Sequence, residues 1–189
     1  MNGQIAEEGD SASLMSLGEP GSTLRDRIEA FLAAHTTLTL ATVGPEGEPA
    51  AAAVFYAHDG RLNLYFLSEE RTQHGQNLLR CPAVAGTIQA DGQDWRTLWG
   101  LQLRGRAELV PAAELAHAMA VYGRKYAFVA LLPGLAGPAA TGDNLHAMLA
   151  TSLARARFWV FRPAWVRLID NRVRFGFKEE MTLAGEDVA

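Results

Sequence analysis

The chain is poor in cysteine: among its 189 residues only Cys81 is one. One thiol can form neither an internal disulfide nor a thiolate metal cage, and the chain is expected to work in a reducing, cytoplasmic setting. Long apolar runs are missing too. No stretch reaches the ~20 residues a bilayer-spanning helix needs, so no membrane partner is expected. Basic residues are outnumbered, 17 Lys and Arg against 21 Asp and Glu, for a net charge of -4. That balance lacks the positive surface that nucleic acid requires. The five histidines, His35, His58, His74, His117 and His146, never fall at the i, i+4 spacing of a helical metal site. There is no glycine-rich phosphate loop, no nucleophile elbow and no convergent pair of carboxylates. The first 22 residues hold no lysine or arginine, which excludes a signal peptide and reads as a mobile leader.

What is present is ordinary globular material, 49% hydrophobic and 20% charged, enough for one domain with a core. "TLRDRIEAFLAAH" carries Leu24, Ile28, Phe31 and Leu32 on one side, an amphipathic helix that Ser22 or Thr23 could cap. "TTLTLATV", "AAAAVFYA" and "RLNLYFL" then follow as strands joined by "GPEGEP" and "HDG" turns, an antiparallel meander. A short helix to about Arg80 precedes the strand "AVAGTIQA". The long strand "TLWGLQLRGRAELV" has Gly100 and Gly105 as bend or bulge points. "PAAELAHAMAVYGRKY" predicts a helix with proline in its first turn. "LLPGLAGPAATGDN" reads as a loop and "LHAMLATSLARA" as a further helix. "RFWVFRPAWVRLIDNRVRFGF" predicts two strands about an Asp-Asn turn, and residues 179–189 an acidic tail. Six or seven strands with two or three helices make an α+β fold, an antiparallel barrel with flanking helices, spanning residues 23–178.

Three stretches could carry chemistry. At "LSEERTQHGQNLL" (67–79) a strand runs into a helix whose first turn exposes free N–H groups. Ser68, Thr72, Gln73 and His74 add donors there, so the corner suits a phosphate. Local composition alone favours a plain helix cap by Ser68 and Thr72, and Glu69 and Glu70 sit awkwardly beside an anion, though Arg71 could offset one. In "PAAAAVFY" (49–56) four alanines are poor strand formers. They would let a flat ring, a helix or another subunit approach the backbone. In "WGLQLRG" (99–105) Gln102 shares a strand face with Arg104 and Arg106, opposite Leu101 and Leu103. That face suits either a heteroaromatic ring or solvent. Cys81, in "CPAV", reads as a small buried residue. Tyr56, His58 and Lys178 are weak candidates for acid–base work and read better as structural.

In this order, the strands, the polar corner, the "CPAVAG" strand entry and the "GLQLRG" strand resemble the pyridoxamine 5'-phosphate oxidase-like family of FMN-binding split barrels. The likeness runs from about Leu24 to Val110, with a weaker echo in "VRLIDNRVRFGFKEEMTL". The resemblance implies an antiparallel split β-barrel with FMN at a homodimer interface. It places the phosphate at Ser68, Thr72, Gln73 and His74, the ring against Ala52, Ala53 and Val54, and Gln102 beside it. It further implies an oxidoreductase moving hydride or electrons between a reduced nicotinamide, NAD(P)H, and a small acceptor. Relatives of this fold bind the deazaflavin F420 or haem, so an F420-dependent reductase and a non-catalytic FMN or haem binder stand as alternatives. The chain departs from the oxidase itself. Gln73-His74 replaces an Arg-Lys pair, and no basic substrate-phosphate site follows, which argues against vitamin B6 oxidation. Residues 134–150 look like an insertion that could form a lid or dimer contact.

Overall fold

The computed structural model describes residues 21–127 and 155–183. The expected leader up to residue 20, the loop and helix between residues 131 and 154, His146 and the last six residues lie outside them.

Helix α1 (Leu24–Ala34) starts where the sequence signals it. Thr23 accepts from the Asp26 N–H, and the Asp26 carboxylate returns a bond to the Thr23 N–H, a complete capping box. Its apolar stripe, Ile28, Phe31 and Leu32, is fully buried. Strands β1 (Thr37–Val43) and β2 (Pro49–His58) pair in continuous register from Thr37↔Phe55 to Val43↔Pro49. Gly47, at φ +88°, closes their turn in a conformation that glycine adopts without strain. Strand β3 (Leu64–Ser68) starts later than its alternation suggests. The reason is Asp59, which accepts from the Arg61 and Asn63 N–H groups and holds residues 59–63 in a turn. Leu62 sits there at φ +66°, a strained geometry offset by complete burial of its side chain.

Helix α2 (Gln73–Arg80), β4 (Ala83–Gln89) and β5 (Trp99–Leu109) follow as expected. The next helix divides: a 3-10 turn at Ala112–Glu114 comes first, then α3 (Leu115–Lys125). Strand β6 (Arg157–Asp170) is one element of 14 residues. The second C-terminal strand, β7, is Lys178–Thr182, beyond the segment the sequence suggested. Residues 171–177 form its connection instead, because Asp170 accepts two bonds from the Arg172 guanidinium and Asn171 takes the Gly176 N–H. Glu179 and Glu180, read from sequence as the start of a tail, are therefore strand residues.

All pairings are antiparallel in the order β3-β2-β1-β4-β5-β6-β7. A further pairing, Leu64↔Phe161 to Ser68↔Arg157, joins β3 to β6 and closes six strands into a barrel, leaving β7 as an outer edge. The barrel interior holds Leu38, Leu40, Tyr56, Phe66, Leu103 and Trp159. α1 joins this core, and the edge of its Phe31 ring meets Trp99 at 4.4 Å. α3 covers the outside of β2, β3 and β6 through Ala118, Val121 and Tyr122. Its Lys125 ammonium donates to the carbonyls of Leu32 and His35, tying α3 to the end of α1.

Where β5 crosses β6 the register shifts, with Arg104 opposite Trp165 and Gly105 opposite Pro163, so Ala164 is the extra residue. A Cβ on Gly105 would lie 2.1 Å from the Arg162 carbonyl oxygen, which explains the glycine. Among the described residues no helix is long and apolar enough to cross a membrane.

Candidate functional site

The strand-to-helix corner is built by backbone constraints. β3 ends at Ser68, whose carbonyl accepts from the buried Trp159 indole at 3.1 Å. Thr72 caps α2: its hydroxyl accepts from the Gly75 N–H at 3.1 Å and donates to the Glu69 carbonyl at 2.8 Å. Ser68 Oγ lies 3.2 Å from Thr72 Oγ1 and 2.6 Å from His74 Nε2. One proton order satisfies the three shortest contacts of the cluster. His74 Nε2–H donates to Ser68, Ser68 O–H to Thr72, and Thr72 O–H to the Glu69 carbonyl. In the neutral ring Nδ1 is then an acceptor, and it turns donor only on protonation. Burial pushes the His74 imidazole below the usual histidine range.

The structure thus brings Ser68, Thr72 and His74 together. Gln73 behaves differently: it is exposed and donates to Asn77 at 2.9 Å, while Asn77 donates to Thr42 of β1 at 3.0 Å, fixing α2 beneath the barrel. The N–H groups of Gln73 and His74, at the first two helical positions, precede the first intrahelical bond, Gln76 N–H to the Thr72 carbonyl.

The two glutamates are neutralised by arginines. Arg71 hydrogen-bonds Glu69 and holds its carboxyl below the usual range, with Arg155 adding to the effect. Arg157 lies 3.5 Å from Glu70. These five side chains line an open recess of ≈ 450 Å³ beside the corner. Its three guanidinium groups outnumber its two carboxylates. Arg155 and Arg157 carry no local sequence signal: they arrive through the β3–β6 pairing, in which Ser68 faces Arg157.

The alanine run is split by strand alternation. Ala53 points outward, whereas Ala52 and Val54 turn toward the interior, with Val54 in the core. Cross-strand pairing sets Ala53 in a row with Thr39, Thr87 and Gln102, and Ala51 in the next row with Ala41 and Ala85. The result is a flat outer face of small residues, edged by Phe55 and Val43, which are 58% and 43% exposed. Gln102 is oriented there, its Oε1 accepting from Arg167 at 3.2 Å while Arg167 bonds Glu180. The amide nitrogen is left as the donor.

The remaining candidates serve the frame. Tyr56 donates to the Leu32 carbonyl inside the core. His58 ends β2, its pKa lowered by burial and by nearby Lys125. Lys178 pairs with Ile169 at the edge strand. Cys81 is half-buried as the α2 C-cap, its N–H bonded to the Asn77 carbonyl, so helix termination rather than core packing fixes it.

Residues 24–170 match the family described as pyridoxamine 5'-phosphate oxidase. The chain is also similar to the UPF0306 protein YhbP of Escherichia coli O157:H7, 27% identical over 137 residues, which cover 72% of this chain and 78% of that one. Among solved structures it resembles conserved hypothetical protein Rv2991 from Mycobacterium tuberculosis, with TM-score 0.59 and 26% identity, covering 87% of this chain and 94% of that one. A heme binding protein from Mycobacterium smegmatis shares the fold at TM-score 0.59 and 24% identity, over 80% of this chain. That match spans 55% of the other protein's length.

Proposed function

Because the chain belongs to the pyridoxamine 5'-phosphate oxidase family, we propose that it is a homodimeric flavoprotein that binds FMN. In this reading it passes hydride or electrons from a reduced nicotinamide to a small acceptor. The corner carries the reading. Two helix N–H groups and a recess with surplus guanidinium converge at one helix start held by the Ser68–Thr72–His74 cluster, and His74 Nδ1 adds a donor once an anion draws a proton onto its ring, a set matched to a phosphate. The glutamates, the chief objection, are already paired with arginines.

The flat face of Ala51, Ala53, Ala41, Ala85, Thr39 and Thr87 supports the rest. It has no bulky side chain to hold off a ring or a second subunit, and the Gln102 amide at its edge can donate to a heteroaromatic ring. When bound, the flavin would supply the redox chemistry. The protein's part would be to hold the phosphate, present the flat floor and orient one donor.

The test is a cofactor screen of FMN, F420 and haem on apo-protein. The reading expects FMN to bind and to be released on denaturation. His74→Ala should weaken FMN by roughly 10- to 100-fold, the worth of a charge-assisted hydrogen bond, and Thr72→Ala should weaken it by about tenfold through loosening the helix start that presents the N–H groups. Riboflavin, which lacks the phosphate, should bind these variants as it binds the parent. A protein with no flavin affinity would sink the proposal, and an equal loss of FMN and riboflavin would sink the phosphate assignment.

A further inference from the structure

At the other end of β1 from α2 lies a second concavity, of ≈ 340 Å³, between β1, β4 and the residues after β4. His35, Thr36, Thr37, Thr39, Thr87, Gln89 and Asp91 supply its polar lining. At the corner every hydroxyl is committed to a protein partner. Here the side chains of Thr37, Thr39, Thr87, Gln89 and Asp91 form no hydrogen bond or ion pair among the described residues. His35, by contrast, is held rigidly. Its ring stacks on Phe31 at 3.9 Å and meets Trp99 edge-on at 5.7 Å, and its Nδ1 lies 2.8 Å from the Phe31 carbonyl oxygen. A carbonyl only accepts, so Nδ1 carries the proton and Nε2 of the neutral ring is an acceptor.

The lining therefore offers four hydroxyls, one amide, one fixed imidazole acceptor and one carboxylate. No lysine or arginine lines it. That is the reverse of the corner, where guanidinium groups dominate. We infer that this cavity binds a small organic molecule that is neutral or cationic and donates hydrogen bonds, and that it rejects anions. Donors on the ligand would meet His35 Nε2 and Asp91, and its acceptors would meet the threonine hydroxyls and Gln89. A phosphorylated or carboxylate ligand would set its charge against Asp91 with no cation to offset it. Thr39 and Thr87 also belong to the flat face proposed to floor the flavin ring. Assigning this cavity to the acceptor substrate rests on that reading, whereas the ligand chemistry of the cavity does not.

The experiment uses three probes of near-equal shape and different charge: benzamidinium, benzamide and benzoate. Each is titrated into the full chain, with and without FMN, by calorimetry and by amide chemical-shift mapping. Benzamidinium should bind roughly tenfold or more tighter than benzoate, with benzamide between them, and the shifts should centre on residues 35–39 and 87–91. Asp91→Asn should weaken benzamidinium about fivefold, the size of one exposed charge pair, and narrow its lead over benzoate. Thr87→Val, isosteric and well suited to a strand, should weaken benzamide while leaving the fold intact. Benzoate binding as well as benzamidinium, shifts centred elsewhere, or indifference to both variants would overturn the inference. FMN binding without probe binding removes this site and spares the flavin. Probe binding without FMN binding does the opposite.

Discussion

Replacing Gly75 by alanine sets two calculable effects against each other. Gly75 is the third residue of α2, and by helix propensity alone alanine should stabilise the protein by up to ~1 kcal/mol. The space around it argues otherwise. A Cβ there would lie 2.8 Å from both the Glu69 and Glu70 carbonyl oxygens and 3.0 Å from Thr72 Oγ1. Two of these three atoms are backbone, so no side-chain rotation relieves the clash, and overpacking of this kind costs about 1–3 kcal/mol. Relief requires the 69–72 turn to move off the helix, which stretches the Gly75 N–H to Thr72 bond and releases an N-cap worth about 1 kcal/mol. The clash outweighs the propensity gain, and net destabilisation should be about 1–3 kcal/mol by the same figures. Urea unfolding at constant m-value would measure it, and a flavin fluorescence titration should show FMN affinity falling with riboflavin affinity kept. A Gly75→Ala protein more stable than the parent, with unchanged FMN binding, would refute the tight corner and the phosphate site built on it.

Gly105→Ala should be more severe, because its Cβ would overlap the Arg162 carbonyl at 2.1 Å and Pro163 Cα at 2.8 Å where β5 and β6 cross. A loss of about 3 kcal/mol or more, the upper end of overpacking costs, should appear as a lowered urea midpoint. Asp59 sets an acid limit on stability. Burial alone would raise its pKa, but bonds from the Asn63 side chain and N–H, the Arg61 N–H and Tyr65 together lower it below the ordinary 3.8. Its contribution is therefore complete above that value and lost as pH falls through the lower folded one. Asp59→Asn should flatten the decline below pH ~4, and an unchanged acid profile would count against it. Finally, a phosphate beside His74 would raise the depressed proton affinity of its ring. FMN affinity should therefore tighten as pH falls from ~8 to ~6.5 while the phosphate stays mostly dianionic. Riboflavin affinity should stay flat, and parallel pH curves for the two ligands would remove His74 from the phosphate site.

Local physics made much of this legible without coordinates. Thr23 and Asp26 mark a helix start because capping is a three-residue interaction. Leu38 and Leu40 mark a strand because side chains alternate. Ser68, Thr72 and His74 could be grouped because a strand end and one helical turn keep residues six apart close together. The expected strand through Pro163 holds although proline ordinarily ends a strand, because Pro163 sits at the bulge where Ala164 is the extra residue. The failures have equally definite causes. The C-terminal hairpin lies further along the chain than the Asp-Asn pair suggests, because Asp170 and Asn171 accept bonds from Arg172 and Gly176 and so make a longer connection. Ala52 and Val54 adjoin Ala53 in sequence, but alternation sends them to the other side of β2.

By itself, then, the sequence determined the element types, the antiparallel meander, the family resemblance and the contents of the corner, all of which depend on neighbours within a few residues. Only the tertiary structure decided what stands beside that corner and across the flat face. Closing β3 onto β6 brings Arg157 and Arg155 to Glu70 and Glu69, and the β2–β1–β4–β5 register aligns Ala53, Thr39, Thr87 and Gln102. Such contacts are set by strand order and register, which arise when the whole barrel buries its core at once, so no short window of sequence contains them.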